Sequence, residues 1–208
     1  MITPYKLAVL SDAIYDSASK AFTEVWTDND VVCGVTYEQN APILVLRGSI
    51  ETVDFVRDAE AVPVWHESLG FVHAGFIAGM DQLFERARTY FGPEPVILTG
   101  HSLGGARARL LAALFLSAGL PVTQVTVFGS PKPGFANCAR ILQKSGIIHT
   151  SFRNRNDIVP ELPLGSLWQH PDVYTPVSAP PADANFAPLR DHSCDLYVTA
   201  LQPLEGAS

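Results

Sequence analysis

Ser102 is the residue of this chain whose setting best fits nucleophilic chemistry. It lies between Gly100 and Gly104 in the pattern G-x-S-x-G, after the apolar run 96–98 and before an Ala- and Leu-rich stretch over 106–116. This order predicts a strand, a sharp turn that carries the serine, and a helix. The N–H groups and positive dipole end of such a helix suit a negatively charged intermediate. A glycine-rich turn before a helix can also lack any chemistry, so the rest of the chain must supply a base and an acid.

The base that a serine needs is a histidine, because the hydroxyl is a weak nucleophile at neutral pH. The six histidines are His66, His73, His101, His149, His170 and His192. After a strand-to-helix elbow the acid and then the histidine follow the serine in the chain, which excludes the first two. His101 adjoins the serine and is expected to point elsewhere, and His149 lies in a predicted strand, where packing is its expected role. His192 is favoured, and His170 in a proline-rich loop remains the alternative.

Asp157 is the favoured acid, because it follows a predicted strand over 147–153 directly and has apolar residues behind it. The alternatives are Asp172, Asp183, Asp191 and Asp195, none of which follows a predicted central strand directly. Surface carboxylates are common, so position alone does not decide between them. The order of serine, acid and histidine along the chain, taken together with the strand before Asp157, favours a triad of Ser102, Asp157 and His192.

Two hydrogen-bond donors for an oxyanion are expected near the serine. The backbone N–H of Leu103, the residue after the nucleophile, is one of them. The other is expected from the loop that follows a predicted strand over 43–47, where Gly48 and Ser49 stand. Ligands gather at such carboxyl ends of strands in open α/β sheets. This chemistry requires no metal ion and no cofactor.

Length and composition predict one α/β domain over residues 1–208. Hydrophobic residues make up 47% of the sequence and charged residues 17%, and the net charge of −7 with scattered Lys and Arg argues against a nucleic-acid groove. Cys33, Cys138 and Cys194 form no close pair, so buried free thiols are favoured over a disulfide framework or a zinc site. No stretch is long and apolar enough to span a bilayer, and the N-terminus lacks a signal-peptide pattern. A soluble protein is expected, cytoplasmic by default or exported by a route without a cleaved signal.

The elements that must position these residues are read from periodicity and turn signals. A helix is predicted over 4–19, a hairpin over 31–37 and 43–47, and a long helix from 72 to 90. Residues 50–60 are predicted to be helix-like, and they either cover the sheet or form a flap over the site. From residue 72 onward strands alternate with helices, continuing through a strand at 122–128, a helix at 135–144, a short strand near 173–175 and a last helix starting at 190. This alternation is typical of parallel β-α-β units. A central, mostly parallel sheet flanked by helices is expected, with an N-terminal β-hairpin region.

Five motifs in order resemble those of the class 3 (fungal-type) lipases. They are Arg47-Gly48-Ser49, Val72-His73-Ala74-Gly75-Phe76, Thr99-Gly100-His101-Ser102-Leu103-Gly104-Gly105-Ala106, Val127-Phe128-Gly129-Ser130-Pro131 and Asn156-Asp157-Ile158-Val159-Pro160. The resemblance spans residues 43–197. It implies an α/β-hydrolase fold and a serine carboxylester hydrolase acting on lipid esters, with Ser102, Asp157 and His192 as triad and Ser49 and Leu103 as oxyanion hole. It also implies that residues 50–60 correspond to a lid in transient contact with the lipid interface.

This sequence differs from the usual pattern of the family at some points, and alternative functions stay open. The secreted fungal members carry export signals and disulfides that this sequence lacks, and Arg107 stands where the family usually has an apolar residue. A phospholipase or galactolipase is the nearest rival, because loops select the head group. An inactive lipid-binding or signalling module is the rival of another class, and a peptidase or thioesterase is a weaker one.

Overall fold

The structure, a computed structural model, describes residues 1–50, 62–179 and 187–204. The strands are β1 Glu24–Asp28, β2 Val31–Glu38, β3 Ala41–Leu46, β4 Pro63–His66, β5 Gly70–His73, β6 Val96–His101, β7 Val122–Phe128, β8 Ile148–Asn154 and β9 Tyr174–Val177. The α-helices are α1 Pro4–Ala13, α2 Ala74–Ile77, α3 Met80–Phe91, α4 Leu103–Ser117, α5 Ala136–Lys144 and α6 Cys194–Leu201, and the 3-10 helices are Val159–Glu161 and Gln202–Leu204. The predicted flap over 50–60 lies outside the described residues except for Ile50, and the alternative acid at 183 lies outside them altogether.

Seven strands form the central sheet in the order β1-β2-β3-β6-β7-β8-β9. The pairs β3–β6, β6–β7, β7–β8 and β8–β9 are parallel, whereas β1–β2 and β2–β3 are antiparallel. This confirms the α/β class and the N-terminal hairpin region. The hairpin between β2 and β3 closes through Gln39 and Asn40, both with positive φ (51° and 65°), so its turn is shorter than the sequence suggested.

Three helical predictions need correction. The first helix stops at Ala13 rather than at 19, and the last begins at Cys194, so His192 precedes it. The predicted helix over 72–90 is a strand and two helices. Its start pairs with β4 in a separate two-stranded sheet, and Gly79, with a φ of 77°, separates α2 from α3. Strands β1 and β4 were not predicted, because both are short and have several exposed positions.

The elbow helix α4 lies in the middle of the molecule. Nearly all of its residues from Gly104 to Phe115 are buried, and it packs on β3, β6 and β7 and on α2, α3 and α5. Apart from two buried arginines, Arg107 and Arg109, its residues are small or apolar on every side, as expected of a buried helix. Arg107, the residue of α4 that departs from the family pattern, donates a hydrogen bond of 3.3 Å to the backbone carbonyl oxygen of Asp30.

Gly104 allows the elbow to close. A Cβ built on it would lie 2.0 Å from the backbone oxygen of Leu46 at the end of β3. We therefore expect Gly104→Ala to lower the free energy of unfolding by about 3 kcal/mol or more, because backbone on both sides must move. Urea unfolding followed by circular dichroism would measure the loss.

Gly75→Ala is the matched control, because its Cβ would lie 3.5 Å from the His73 ring, an ordinary contact. Gly75 lies in helix α2, where alanine is favoured over glycine by about 0.5–1 kcal/mol. A Gly104→Ala protein as stable as Gly75→Ala would contradict the tight packing of the elbow.

Candidate active site

Ser102 occupies the turn between β6 and α4 in a conformation that few residues adopt. Its φ is 59° and its ψ is −131°, a region that costs of order 1–3 kcal/mol for a residue with a side chain. The turn is held by a hydrogen bond of 2.9 Å from the Ser102 N–H to the carbonyl oxygen of Phe128 on β7. The serine is 1% exposed. The strained turn is the local structure that the G-x-S-x-G pattern predicts.

Asp157 and His192 form a buried pair. His192 Nδ1 lies 2.7 Å from Asp157 Oδ2, and the two residues are 1% and 0% exposed. The other carboxylate oxygen, Oδ1, accepts the backbone N–H of Val159 at 2.9 Å, at the start of the 3-10 helix. A carboxylate accepts at Nδ1 when that nitrogen carries the proton, which leaves Nε2 of the histidine free to act as a base.

Tyr197 completes the surroundings of this carboxylate, and sequence reasoning missed it. Its hydroxyl donates to Asp157 Oδ2 at 2.5 Å and accepts the backbone N–H of Asn154 at 3.0 Å. Burial and the neighbouring Asp157 raise the pKa of Tyr197 well above its ordinary value, so the hydroxyl keeps its proton. An aromatic residue five positions after His192 was the only signal in the sequence, and it equally fits simple packing.

His192 lies beside the elbow. Its ring centroid is 4.5 Å from that of His101, the residue before the serine. In the part of the chain that the structure describes, Ser102 Oγ and His192 Nε2 both belong to the few buried side-chain atoms without a hydrogen-bond partner. Neither atom is therefore engaged by another described residue, and catalytic hydrogen bonds are often long before substrate binds.

The loop after β3 touches the serine directly. A Cβ built on Gly48 would lie 3.1 Å from Ser102 Cβ and 2.7 Å from the carbonyl oxygen of His101, so Ser49 follows a residue in contact with the elbow. Leu103 is the first residue of α4, and the first N–H groups of a helix have no partner within it. The loop that carries Ser49 therefore lies against the elbow, and the Asp157–His192 pair lies beside His101.

The alternative base His170 and one of the alternative acids, Asp172, belong to a separate buried cluster around Arg109. This arginine, 0% exposed, donates to His170 Nδ1 at 3.1 Å and to Asp172 Oδ1 at 2.9 Å, and its Nε lies 3.5 Å from His149 Nε2. It also bonds Ser151. The cluster attaches the chain around 170–174 to the elbow helix. His170 is therefore held away from the serine by its own partners.

Acidification should destabilise the fold through this cluster. Burial, followed by the charge of Arg109, lowers the pKa of His149 to about 4 and that of His170 to about 3. In the unfolded chain both titrate near pKa ~6.5, so below about pH 6.5 the unfolded state binds more protons and the free energy of unfolding falls until the folded-state pKa values are reached. Each histidine contributes up to about 1.4 kcal/mol per pH unit in that window.

Urea unfolding at about pH 7 and about pH 5 would measure this loss. His149→Gln keeps an acceptor near Arg109 and does not titrate, so we expect it to lose less stability between the two pH values than the parent does. His66→Gln, on the surface hairpin near Asp81, is the matched control. A His149→Gln protein with the pH dependence of the parent would exclude His149 as a cause.

Cys33, Cys138 and Cys194 are buried free thiols, as expected from their spacing. Among the described residues, no group of three or more His, Cys, Asp or Glu side chains could hold a metal ion. Of the described helices, none has the length and apolar character needed to cross a membrane.

The sheet, the flanking helices and the serine on a strand-to-helix elbow define an α/β-hydrolase fold. Residues 43–166, more than half of the chain, match the family described as Lipase (class 3). The chain therefore belongs to the class 3 lipase family, as the motifs suggested.

Individual relatives agree with this assignment. The secreted mono- and diacylglycerol lipase A of Penicillium cyclopium is 29% identical over 153 residues, which cover 68% of this chain and 49% of the relative. A lipase of Rhizomucor miehei is 34% identical over 134 residues, 58% of this chain and 37% of the relative. The solved structure of the Rhizomucor miehei triacylglyceride lipase superposes with a TM-score of 0.69 at 20% identity, covering 84% of this chain and 78% of that one, which supports the fold. The chain spans about half the length, or less, of these curated relatives.

The expectation of a protein that is cytoplasmic by default is wrong. The matching mono- and diacylglycerol lipases of two Penicillium species are named as secreted proteins, so the relatives point to export. The missing signal-peptide pattern on which the expectation relied carries no conclusion about compartment.

Proposed function

We propose that this chain is a serine carboxylester hydrolase that acts on lipid esters, with mono-, di- or triacylglycerols as substrates. The observation that carries the proposal is the strained Ser102 at the N-terminus of α4, next to the buried Asp157–His192 pair. The names of the relatives, lipases and a mono- and diacylglycerol lipase, support the substrate class. Residues 1–208 would act as a single hydrolase domain.

In the proposed reaction Ser102 Oγ attacks the ester carbonyl while His192 Nε2 takes its proton. Asp157 holds His192 in the required tautomer and stabilises the imidazolium that forms. The backbone N–H of Leu103 and a donor from Ser49 bind the oxyanion, where each such donor is worth about 100- to 1,000-fold in rate. His192 then protonates the leaving alcohol, and water releases the fatty acid from the acyl-enzyme by the same steps in reverse.

Hydrolysis assays on a lipid panel would test the substrate class. The purified chain is given mono-, di- and triacylglycerols, a phospholipid and a galactolipid, and the released fatty acid is quantified. We expect the acylglycerols to be cleaved fastest. A faster reaction with the phospholipid or galactolipid would favour the nearest rival, and absent hydrolysis together with absent labelling by a fluorophosphonate would favour an inactive lipid-binding module.

Contact with the lipid interface is tested by the same assay with a short-chain acylglycerol. The rate is measured below and above the solubility limit of this substrate. A jump in rate once droplets form is expected if the proposed transient contact through residues 50–60 matters for activity. Smooth saturation through the solubility limit would instead indicate a plain esterase.

A further inference from the structure

Tyr15 lies at the centre of an unassigned set of contacts behind the candidate nucleophile. It follows helix α1 by two residues and stands outside the part of the chain that matches the lipase family, residues 43–166. Its hydroxyl is 3.0 Å from His101 Nδ1, across 86 positions of sequence. Sequence reasoning assigned a role to neither residue.

The hydrogen bonds of His101 have one consistent direction. Its Nε2 is 2.7 Å from the carbonyl oxygen of His192, and a carbonyl can only accept, so Nε2 carries the ring proton. Burial and the neighbouring His192 lower the pKa of His101 well below its ordinary value, which keeps the ring neutral. Nδ1 is then an acceptor, and the hydroxyl of Tyr15 donates to it.

The same hydroxyl touches the loop of the candidate oxyanion donor. A Cβ built on Gly48 would lie 2.4 Å from Tyr15 Oη, so the loop packs on the phenol oxygen with no room for a side chain between them. Burial raises the pKa of Tyr15, and the backbone of Gly48 is among the groups that oppose this rise. Tyr15 therefore remains a neutral donor held between two loops of the site.

We propose that Tyr15 and His101 are positioning residues that fix the separation between the oxyanion loop at Gly48–Ser49 and the base His192. This inference rests on the proposed function. Tyr15 packs against the oxyanion loop and donates to His101, which in turn donates to the backbone of His192. Because His101 also precedes Ser102, one set of contacts ties together the nucleophile, the base and the oxyanion donor. Neither residue makes a hydrogen bond to Ser102 Oγ or His192 Nε2, which have no hydrogen-bond partner among the described residues.

Tyr15→Phe is the principal test, because it keeps the aromatic ring and removes both the proton donated to His101 and the oxygen on which Gly48 packs. Losing a net hydrogen bond of about 1–1.5 kcal/mol in this position should lower kcat about tenfold. KM for a soluble p-nitrophenyl ester should stay near the parent value, since the substrate-binding surface is unchanged, and the melting temperature should fall by only about 2–6 °C. Tyr5→Phe, near the start of the same helix, is the matched control and should keep the parent kcat.

His101→Phe and the double variant provide a second measurement. If the two residues act as one unit, adding Tyr15→Phe to His101→Phe should cost little further kcat, because the contact is already broken. Losses that multiply would overturn the proposal. ¹⁵N NMR of the parent should show His101 as a neutral ring protonated at Nε2, and protonation at Nδ1 would also overturn it.

The outcomes separate this inference from the function on which it rests. A folded Tyr15→Phe protein with the parent kcat, or with a change in KM alone, overturns the positioning role while the hydrolase remains. A parent protein that neither hydrolyses esters nor reacts with a fluorophosphonate overturns the proposed function itself.

Discussion

Ser102→Ala should abolish ester hydrolysis, lowering kcat by about 10⁶-fold, as expected when the nucleophile of a serine triad is removed. The fold should survive. Ser102 Oγ has no hydrogen-bond partner among the described residues, and alanine removes only this buried hydroxyl. Hydrolysis of a p-nitrophenyl ester, fluorophosphonate labelling and thermal unfolding would measure the three expectations.

Two further variants make this test specific. Ser117→Ala removes an exposed serine at the other end of α4 and should behave as the parent. Ser102→Gly should be as inactive as Ser102→Ala but more stable, because glycine adopts the φ of 59° without steric cost. Parent-like hydrolysis by either Ser102 variant would exclude Ser102 as the nucleophile.

Asp157→Asn should lower kcat by about 10⁴-fold with little effect on KM. Asp157 Oδ2 accepts from both His192 and Tyr197, and Oδ1 accepts from Val159 N–H. An asparagine has one oxygen and one NH₂ for these three donors. If its NH₂ faces His192, the ring must shift its proton to Nε2 and can no longer serve as a base. If its NH₂ faces Val159, two donors meet.

Asp195→Asn is the matched control, because Asp195 was an alternative acid and is exposed in the first turn of α6. It should keep the parent rate. Steady-state kinetics of the two variants on the same ester would decide. A larger loss with Asp195→Asn than with Asp157→Asn would show that the wrong carboxylate has been assigned.

The sheet and the elbow could be predicted because their signals are local. β-Branched runs bounded by turn residues predict β6, β7 and β8, and Gly100 with Gly104 predicts a close turn. Asp157 was found because it follows a strand directly. The strands that escaped prediction, β1, β4 and β5, are short and depend on the partner strand beside them rather than on periodicity.

By itself, the sequence determined which residue types stand at the ends of the strands, and therefore a serine, a carboxylate and a histidine in the order of a hydrolase. Only the tertiary structure decided their partners. Tyr197 reaches Asp157 across 40 positions and Tyr15 reaches His101 across 86, while Arg109 holds His170 and Asp172 in a cluster of their own. The physical reason is that hydrogen-bond partners are selected by the approach of loops and helix ends in space, for which spacing along the chain carries no signal.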